Sequence, residues 1–203
     1  METQELENLP EEGGEPEKKR FDFARELYEW VDSLVFAFVG IVVVFAFLAN
    51  VFYVDQTSMT HTLEENEMVM ILRLPYTPKR GDIILFTKHG YAYNEDTGSY
   101  NPLVKRVIGL PGDELDFVLD GNTGKVLLNG EALDEPYIRE AMTYWGSTPL
   151  PVIVPPDSVF VMGDNRNKSS DSRNSEIGLV EQRSILGPVV LRLTPLNKFG
   201  SVK

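Results

Sequence analysis

The chain has 203 residues, enough for one globular domain of ordinary size with some length left for tails. Its net charge of -12 argues against a nucleic-acid partner, because such partners are bound by clustered Lys and Arg. The chain has no cysteine, and its two histidines, His61 and His89, lie far apart in sequence. Disulfides and thiolate zinc sites are therefore excluded, and we expect no metal and no cofactor, with only a carboxylate site left open.

The N-terminal region, residues 1–32, is predicted to be an acidic tail. Its first 20 residues, "METQELENLPEEGGEPEKKR", contain few apolar side chains and several Gly and Pro, so we expect them to be disordered. Residues 21–31, "FDFARELYEWV", are predicted to form a short amphipathic helix at a membrane interface.

Residues 33–54, "SLVFAFVGIVVVFAFLANVFYV", form a run of 22 uncharged side chains. As a helix they would extend roughly 33 Å, which is enough for a bilayer core of about 30 Å. A buried core helix would have one polar face, and this run has none. A cleaved secretory signal is the more serious alternative, but signals are shorter and follow a short basic start. The sequence therefore predicts a retained transmembrane helix.

The orientation of this helix follows from the positive charges beside it, because Lys and Arg favour the cytoplasmic side. Four precede the helix within about twenty residues and one, Arg73, follows it; the four are Lys18, Lys19, Arg20 and Arg25. We therefore expect a single-pass protein of the cell membrane with a cytoplasmic N-terminus and residues 55–203 on the extracytoplasmic face.

Residues 55–203 are predicted to fold as one β-rich domain, so the fold class is mainly β after one N-terminal helix. Short apolar runs alternate with turn residues, and no sustained helical period is visible. A hairpin is predicted around a turn at Asn122–Gly124. The predicted strands include "MVMILRL", "DIILF", "PLVKRVIGL", "SVFVM" and "GPVVLRLT".

Lys105 is a candidate for chemistry because it is a charged residue inside the predicted strand "PLVKRVIGL". Alternation places it on the same face as Leu103 and Val107, so its ammonium would be desolvated and its pKa lowered. A lysine with a pKa near 8 is neutral about one time in ten at pH 7 and can serve as a general base toward a serine. The alternative is a lysine at a sheet edge whose head reaches water.

The segment "GDNRNKSSDSR", Gly163–Arg173, is too polar to be ordinary core. One interpretation is a solvated surface loop. The other is a hydrogen-bonded floor beneath a reactive site.

Four blocks together resemble, in order and spacing, the bacterial type I signal peptidases, which are membrane-bound serine proteases. The blocks are "SMTHTL" at Ser58–Leu63, "GDIILF" at Gly81–Phe86, "KRVIGLPGD" at Lys105–Asp113 and "GDNRNKSSDSR" at Gly163–Arg173. The layout of one span and a compact outer domain resembles the shorter, Gram-positive type. The resemblance implies an antiparallel β-sheet peptidase domain that removes signal peptides from exported preproteins.

The resemblance also implies roles for individual residues. Ser58 would be the nucleophile and Lys105 the general base, acting through an acyl-enzyme. Ser169 would hydrogen-bond the lysine amine, and Met59 would lie in an apolar surface that binds substrate. Structural ion pairs and hydrogen bonds around the site would come from Arg106, Asp164, Asp171 and Arg173.

Two residues depart from the family pattern. His61 stands where the family usually has proline; we interpret it as a tolerated substitution, with a role as an alternative base as the other possibility. Gln56 stands where the family commonly has glycine or serine, a position that in some members completes the oxyanion hole. Its side-chain amide would either donate to the oxyanion or crowd it.

Rival functions remain to be weighed. Self-cleaving SOS repressors resemble this β fold and use a Ser/Lys dyad, but they carry a DNA-binding domain instead of a membrane span. A catalytically impaired or substrate-specialised peptide-binding relative is the alternative that Gln56 and His61 favour. The expected partners are signal peptides and membrane lipid, with no nucleic acid, and the sequence predicts no oligomeric state.

Overall fold

The computed structural model of the protein describes residues 23–202. The predicted disordered segment, residues 1–20, lies outside the described residues, as do the first two residues of the predicted interfacial helix. In sequence the chain divides into two compact units, with the boundary between Val42 and Val43.

Helix α1, Phe23–Leu48, is long and apolar enough to cross a membrane by length and composition, and it is the one such helix among residues 23–202. Its 26 residues extend about 39 Å. The helix differs from the predicted span at both ends. It begins ten residues before residue 33 and includes most of the predicted interfacial segment, and it ends at Leu48 instead of continuing to residue 54.

The predicted helix end at residue 54 is wrong because Ala49–Tyr53 forms a strand, β1, that pairs antiparallel with a second strand, Met68–Leu72. This pairing satisfies the backbone groups of Ala49–Tyr53 within a sheet. Uncharged composition alone does not distinguish such a strand from the last turn and a half of a membrane helix.

The rest of the described chain is mainly β, as predicted. Four short 3-10 helices are interspersed, Thr57–Met59, Arg166–Lys168, Gln182–Ser184 and Leu196–Lys198. In chain order the further strands are β2 Met68–Leu72, β3 Ile83–Phe86, β4 Tyr93–Asn94, β5 Ser99–Tyr100, β6 Leu103–Gly109, β7 Glu114–Asp120, β8 Thr123–Leu128, β9 Glu131–Ala132, β10 Val152–Ile153, β11 Ser158–Met162, β12 Val180–Glu181 and β13 Ile185–Thr194.

The largest sheet has seven strands in the order β1-β2-β13-β3-β6-β11-β12. A four-stranded sheet has the order β10-β7-β8-β9, and β4 pairs with β5. All of these pairings are antiparallel. The predicted hairpin is β7-β8, but Asp120 pairs with Thr123, so its turn is Gly121-Asn122 and Gly124 already belongs to β8.

The placement of β6 inside the large sheet decides the environment of the candidate site. β3 covers one edge of β6 and β11 covers the other, with Ile84 paired to Lys105. Buried apolar clusters include Leu103 and Val107 on one side and Ile108 on another. Because β6 is central, almost every side chain on it is buried, whichever face it occupies.

Candidate active site

Ser58 is presented by the short 3-10 helix Thr57–Met59, which follows directly after β1. Two hydrogen bonds fix the chain before it: Val54 N–H donates to Glu67 O at 2.8 Å, and Asn66 N–H donates to Val54 O at 2.7 Å. The Thr60 N–H then donates to Thr57 O at 3.1 Å and closes the turn. Ser58 is only 6% exposed, so its hydroxyl is held in a defined and largely desolvated position.

Lys105 reaches this serine from strand β6. Its Nζ lies 2.8 Å from Ser58 Oγ and 3.0 Å from the Val104 carbonyl oxygen. The lysine is 1% exposed, so the alternative of an edge lysine whose head reaches water is wrong. The two residues predicted to act together are therefore in hydrogen-bond contact, although 47 residues separate them in sequence.

Burial lowers the pKa of Lys105 from 10.5 to about 8, against the opposing effect of the Asp171 carboxylate and with help from Arg173. The direction and the cause agree with the prediction from strand alternation. At a pKa near 8 about one lysine in ten is neutral at pH 7, which is the form that can accept a proton from Ser58.

Most of the polar loop Gly163–Arg173 is buried, with Lys168 and Ser170 exposed, so its interpretation as a solvated surface loop is wrong. Asn165 connects it to the nucleophile: its backbone N–H donates to Ser58 O at 3.0 Å, and its Nδ2 donates to Thr57 O at 3.0 Å. Asn165 therefore binds the carbonyl oxygens of both Thr57 and Ser58. The loop is the floor of the site that the second interpretation described.

Two buried ion pairs hold this floor in place. Arg106 binds Asp164 through two contacts, Nε to Oδ1 at 2.8 Å and Nη2 to Oδ2 at 2.7 Å. Arg173 binds Asp171 in the same way, with both contacts at 2.8 Å. Burial by itself would raise the pKa of the Asp171 carboxyl, but the hydrogen bonds and charge of Arg173 lower it below its ordinary value. Each arginine and each aspartate is at most 3% exposed, consistent with the structural role that the resemblance implied.

Sequence reasoning missed several residues of this network. Glu135 forms a buried ion pair with Arg166, and the guanidinium carbon of Arg106 lies 4.1 Å from the centre of the Tyr137 ring. For Asn165 the sequence predicts only a place in the polar loop and not its contacts with the serine turn. Glu135 and Tyr137 come from a segment about thirty residues before the loop, so no local sequence pattern could have paired them.

Ser169 is placed differently from the prediction. It is 7% exposed, but its hydroxyl makes no hydrogen bond within residues 23–202, so the predicted bond to the lysine amine is not formed in this structure. Its position is nevertheless close to the nucleophile. A Cβ added at Gly163 would lie 2.3 Å from Ser169 Oγ and 2.4 Å from Ser58 O, so only glycine allows these two groups to pack against the same backbone.

A pocket of about 320 Å³ opens beside Ser58. Met59 lines it and is 1% exposed, packing in the apolar cluster around Val54 and Leu63. Gln56 also lines the pocket; it is exposed and its side chain makes no capping hydrogen bond to the 3-10 helix. The predicted substrate-binding residue and the predicted oxyanion residue therefore both border one cavity with the nucleophile.

His61 is exposed and does not line this pocket. Its φ of 96° lies in the left-handed region, which residues other than glycine rarely adopt. Proline requires a φ near -65°, so the family's usual residue is incompatible with this backbone. Lys105, not His61, contacts the serine, and we draw no catalytic role for His61 from the structure.

A serine hydroxyl in contact with a buried lysine that is partly neutral, at the edge of an open pocket, is an arrangement suited to nucleophilic attack on a carbonyl. The antiparallel fold and this pair together define a candidate serine hydrolase. Among residues 23–202 no group of three or more His, Asp or Glu side chains is arranged to hold a metal ion.

The chain belongs to the signal peptidase family, peptidase S26, whose family model matches residues 27–194. It is 38% identical to signal peptidase I of Leptolyngbya laminosa, over 77% of this chain and 74% of that protein. It is 33% identical to signal peptidase I of Bacillus licheniformis, over 90% of this chain and 96% of that protein. The resemblance to type I signal peptidases is thus confirmed, and the assignment to the Gram-positive type stays a prediction.

A solved structure of a signal peptidase I from Enterococcus faecalis V583 is 29% identical, with a TM-score of 0.41 over 58% of this chain and 100% of that one. The antiparallel fold of this chain is defined by its own strand pairing.

Proposed function

We propose that this chain is the endopeptidase that removes N-terminal signal peptides from exported preproteins, with Ser58 as nucleophile and Lys105 as general base. The observation that carries the proposal is the 2.8 Å contact between Lys105 Nζ and Ser58 Oγ at the edge of an open pocket. Membership of the signal peptidase family supports the reaction class, and the contact supports Ser58 and Lys105 as the residues that carry it out.

In the first step, neutral Lys105 accepts the proton of the Ser58 hydroxyl while Oγ attacks the carbonyl carbon of the scissile peptide bond. The tetrahedral intermediate then collapses, and the ammonium of Lys105 gives its proton to the leaving amine. The mature protein departs with a new amino terminus, and the signal peptide stays attached to Ser58 as an ester. Water, deprotonated by Lys105, then hydrolyses that ester and restores the serine.

The negative charge on the intermediate needs hydrogen-bond donors. The backbone N–H of Ser58 has no acceptor among residues 23–202, as is usual for the first N–H groups of a short helix, and is available for this role. Gln56 borders the same pocket with an exposed amide, so we assign its Nε2 as the second donor. Met59 and Val104 contribute apolar pocket surface, which suits the small apolar side chains that precede the cut in the family's substrates.

We further propose that α1 anchors the protein in the membrane with its N-terminus in the cytoplasm. The three Lys and Arg residues that precede α1 within a few positions, together with Arg25 in its first turn, support this orientation, because positive charge is retained on the cytoplasmic side. Residues 55–203 would then act on the extracytoplasmic face, where the signal peptides of exported preproteins become accessible.

The test is cleavage of a model preprotein with an Ala-x-Ala site by the full-length protein in detergent. We expect wild type to cleave at that site and the variants Ser58→Ala and Lys105→Met to lose at least about a thousandfold of kcat while staying folded. Wild-type rates in either variant would refute the dyad. Binding of the preprotein by wild type without cleavage would favour the impaired or specialised relative instead.

A further inference from the structure

Thr62 is the residue at which the turn that carries Ser58 joins the floor of the site. Its Oγ1 donates to the Asp164 carboxylate, which is already bound by Arg106. Its backbone N–H donates to Met59 O at 3.0 Å, which closes the turn on the side of the nucleophile. Thr62 therefore lies between the serine turn and the ion pair next to the lysine.

The carbonyl of the same residue is held from another direction by Arg192, whose Nη2 donates to Thr62 O. The two residues are 130 positions apart in sequence. The mechanism given above uses neither of them.

Arg192 is itself rigidly placed. Its backbone lies on β13, paired with Val69 of β2, and forms a second antiparallel bridge with Gly200 of the C-terminal segment. Its Nε lies 3.1 Å from a carboxylate oxygen of Glu67, which is buried. With its side chain 16% exposed, Arg192 donates from its guanidinium to Thr62 O while its backbone is held in β13.

The contact matters because of the residue just before Thr62. His61 has a φ of 96°, a conformation that is unfavourable for a residue with a side chain and persists only where neighbouring contacts impose it. The exposed His61 side chain makes no hydrogen bond within the described residues that could impose it. The N–H groups of Thr62 and Leu63 both donate to Met59 O within the turn, at 3.0 and 2.8 Å. From outside the turn, Thr62 is held by two further contacts, one to Asp164 and one to Arg192.

We propose that Arg192 is a positioning residue for catalysis: by binding the Thr62 carbonyl it maintains the left-handed conformation of His61 and so keeps Ser58 Oγ against Lys105. This inference rests on the proposed function, since it concerns the same nucleophile. It assigns to the C-terminal strand β13, far from Ser58 in sequence, a share in the geometry of the reacting pair.

The experiment measures kcat and KM for model-preprotein cleavage by the full-length protein in detergent, with the thermal midpoint of each variant. We expect Arg192→Gln to lower kcat by roughly ten- to a hundredfold, because a small displacement of a nucleophile costs that much, and to change KM less than about threefold. The matched control is Arg183→Gln, since Arg183 is 84% exposed and pairs with neighbouring Glu181 on the surface. The control should keep wild-type kcat.

The decisive variant adds His61→Gly to Arg192→Gln. Glycine adopts positive φ without cost, so the turn no longer needs the guanidinium and most of the lost kcat should return. A purely structural Arg192 would leave the double variant as slow as Arg192→Gln, and that result would overturn the proposal. Wild-type kcat in Arg192→Gln would also overturn it. Normal cleavage by Ser58→Ala would refute the proposed function as well. If Ser58→Ala is inactive while Arg192→Gln keeps wild-type kcat, only the role proposed for Arg192 fails.

Discussion

Replacing Lys105 by methionine should make the folded protein more stable at pH 7 while it abolishes cleavage. Burial lowers the pKa of Lys105 from 10.5 to about 8. This difference of about 2.5 pKa units corresponds to roughly 3 kcal/mol of unfolding free energy. Methionine has a similar length and carries no charge, so it removes that cost. The lost hydrogen bonds to Ser58 and Val104 offset about 1 kcal/mol each, which leaves an expected gain of about 1 kcal/mol.

The sign of the effect with pH follows from proton binding. Below pH 8 both the folded and the unfolded chain hold the Lys105 proton, so the folded protein bears the full cost of the buried charge. Between about pH 8 and 10.5 the folded lysine is neutral while the unfolded lysine still binds its proton, so stability rises with pH across this window. Above it the cost is gone, and the advantage of methionine disappears.

Thermal unfolding of the full-length protein in detergent, at pH 7 and at pH 10.5, checks this directly. The midpoint of Lys105→Met should exceed that of wild type by a few degrees at pH 7, at about 2–4 °C per kcal/mol for a domain of this size. At pH 10.5 it should fall below that of wild type, because the lost hydrogen bonds are no longer offset. Lys125→Met is the matched control, because Lys125 is 56% exposed and pairs with an exposed aspartate. A Lys105→Met protein that is less stable than wild type by the same amount at both pH values would refute the reasoning.

Three further predictions follow from the site. Cleavage by wild type should rise about tenfold per pH unit below pH 8 and level off above it, because neutral Lys105 is the active form; a flat kcat/KM from pH 6 to 9 would contradict this. Gly163→Ala places a Cβ 2.4 Å from Ser58 O and should lower both kcat and the thermal midpoint, whereas Gly40→Ala, where nothing lies within 4 Å, should change neither. Gln56→Ala should lower kcat about a hundredfold with KM unchanged if its amide completes the oxyanion hole, and a wild-type kcat would leave Ser58 N–H as the single protein donor.

Much of the site could be predicted from the sequence because strand alternation is a local property. The period-2 pattern of "PLVKRVIGL" was enough to place Lys105 among apolar neighbours and to give the direction of its pKa shift. The ordered blocks then supplied Ser58 as its partner, and the structure brings the two into contact.

The parts that sequence reasoning missed depend on contacts between distant segments. Residues of the loop Gly163–Arg173 are buried against partners such as Glu135 and Thr62, and the sequence of the loop itself does not predict those partners. The end of α1 was misplaced because Ala49–Tyr53 is apolar in either a helix or a strand, and pairing with β2 decides between them.

The central claim is that Ser58 forms a covalent ester with the signal-peptide part of its substrate, with Lys105 as the base. Its most direct test is rapid acid quenching of the full-length protein during preprotein cleavage, followed by mass measurement of the proteolytic fragment that contains Ser58. We expect a fragment heavier by the mass of the free signal peptide less one water, absent in Ser58→Ala and strongly reduced in Lys105→Met. Full cleavage by Ser58→Ala, or an adduct on any other residue of wild type, would contradict it.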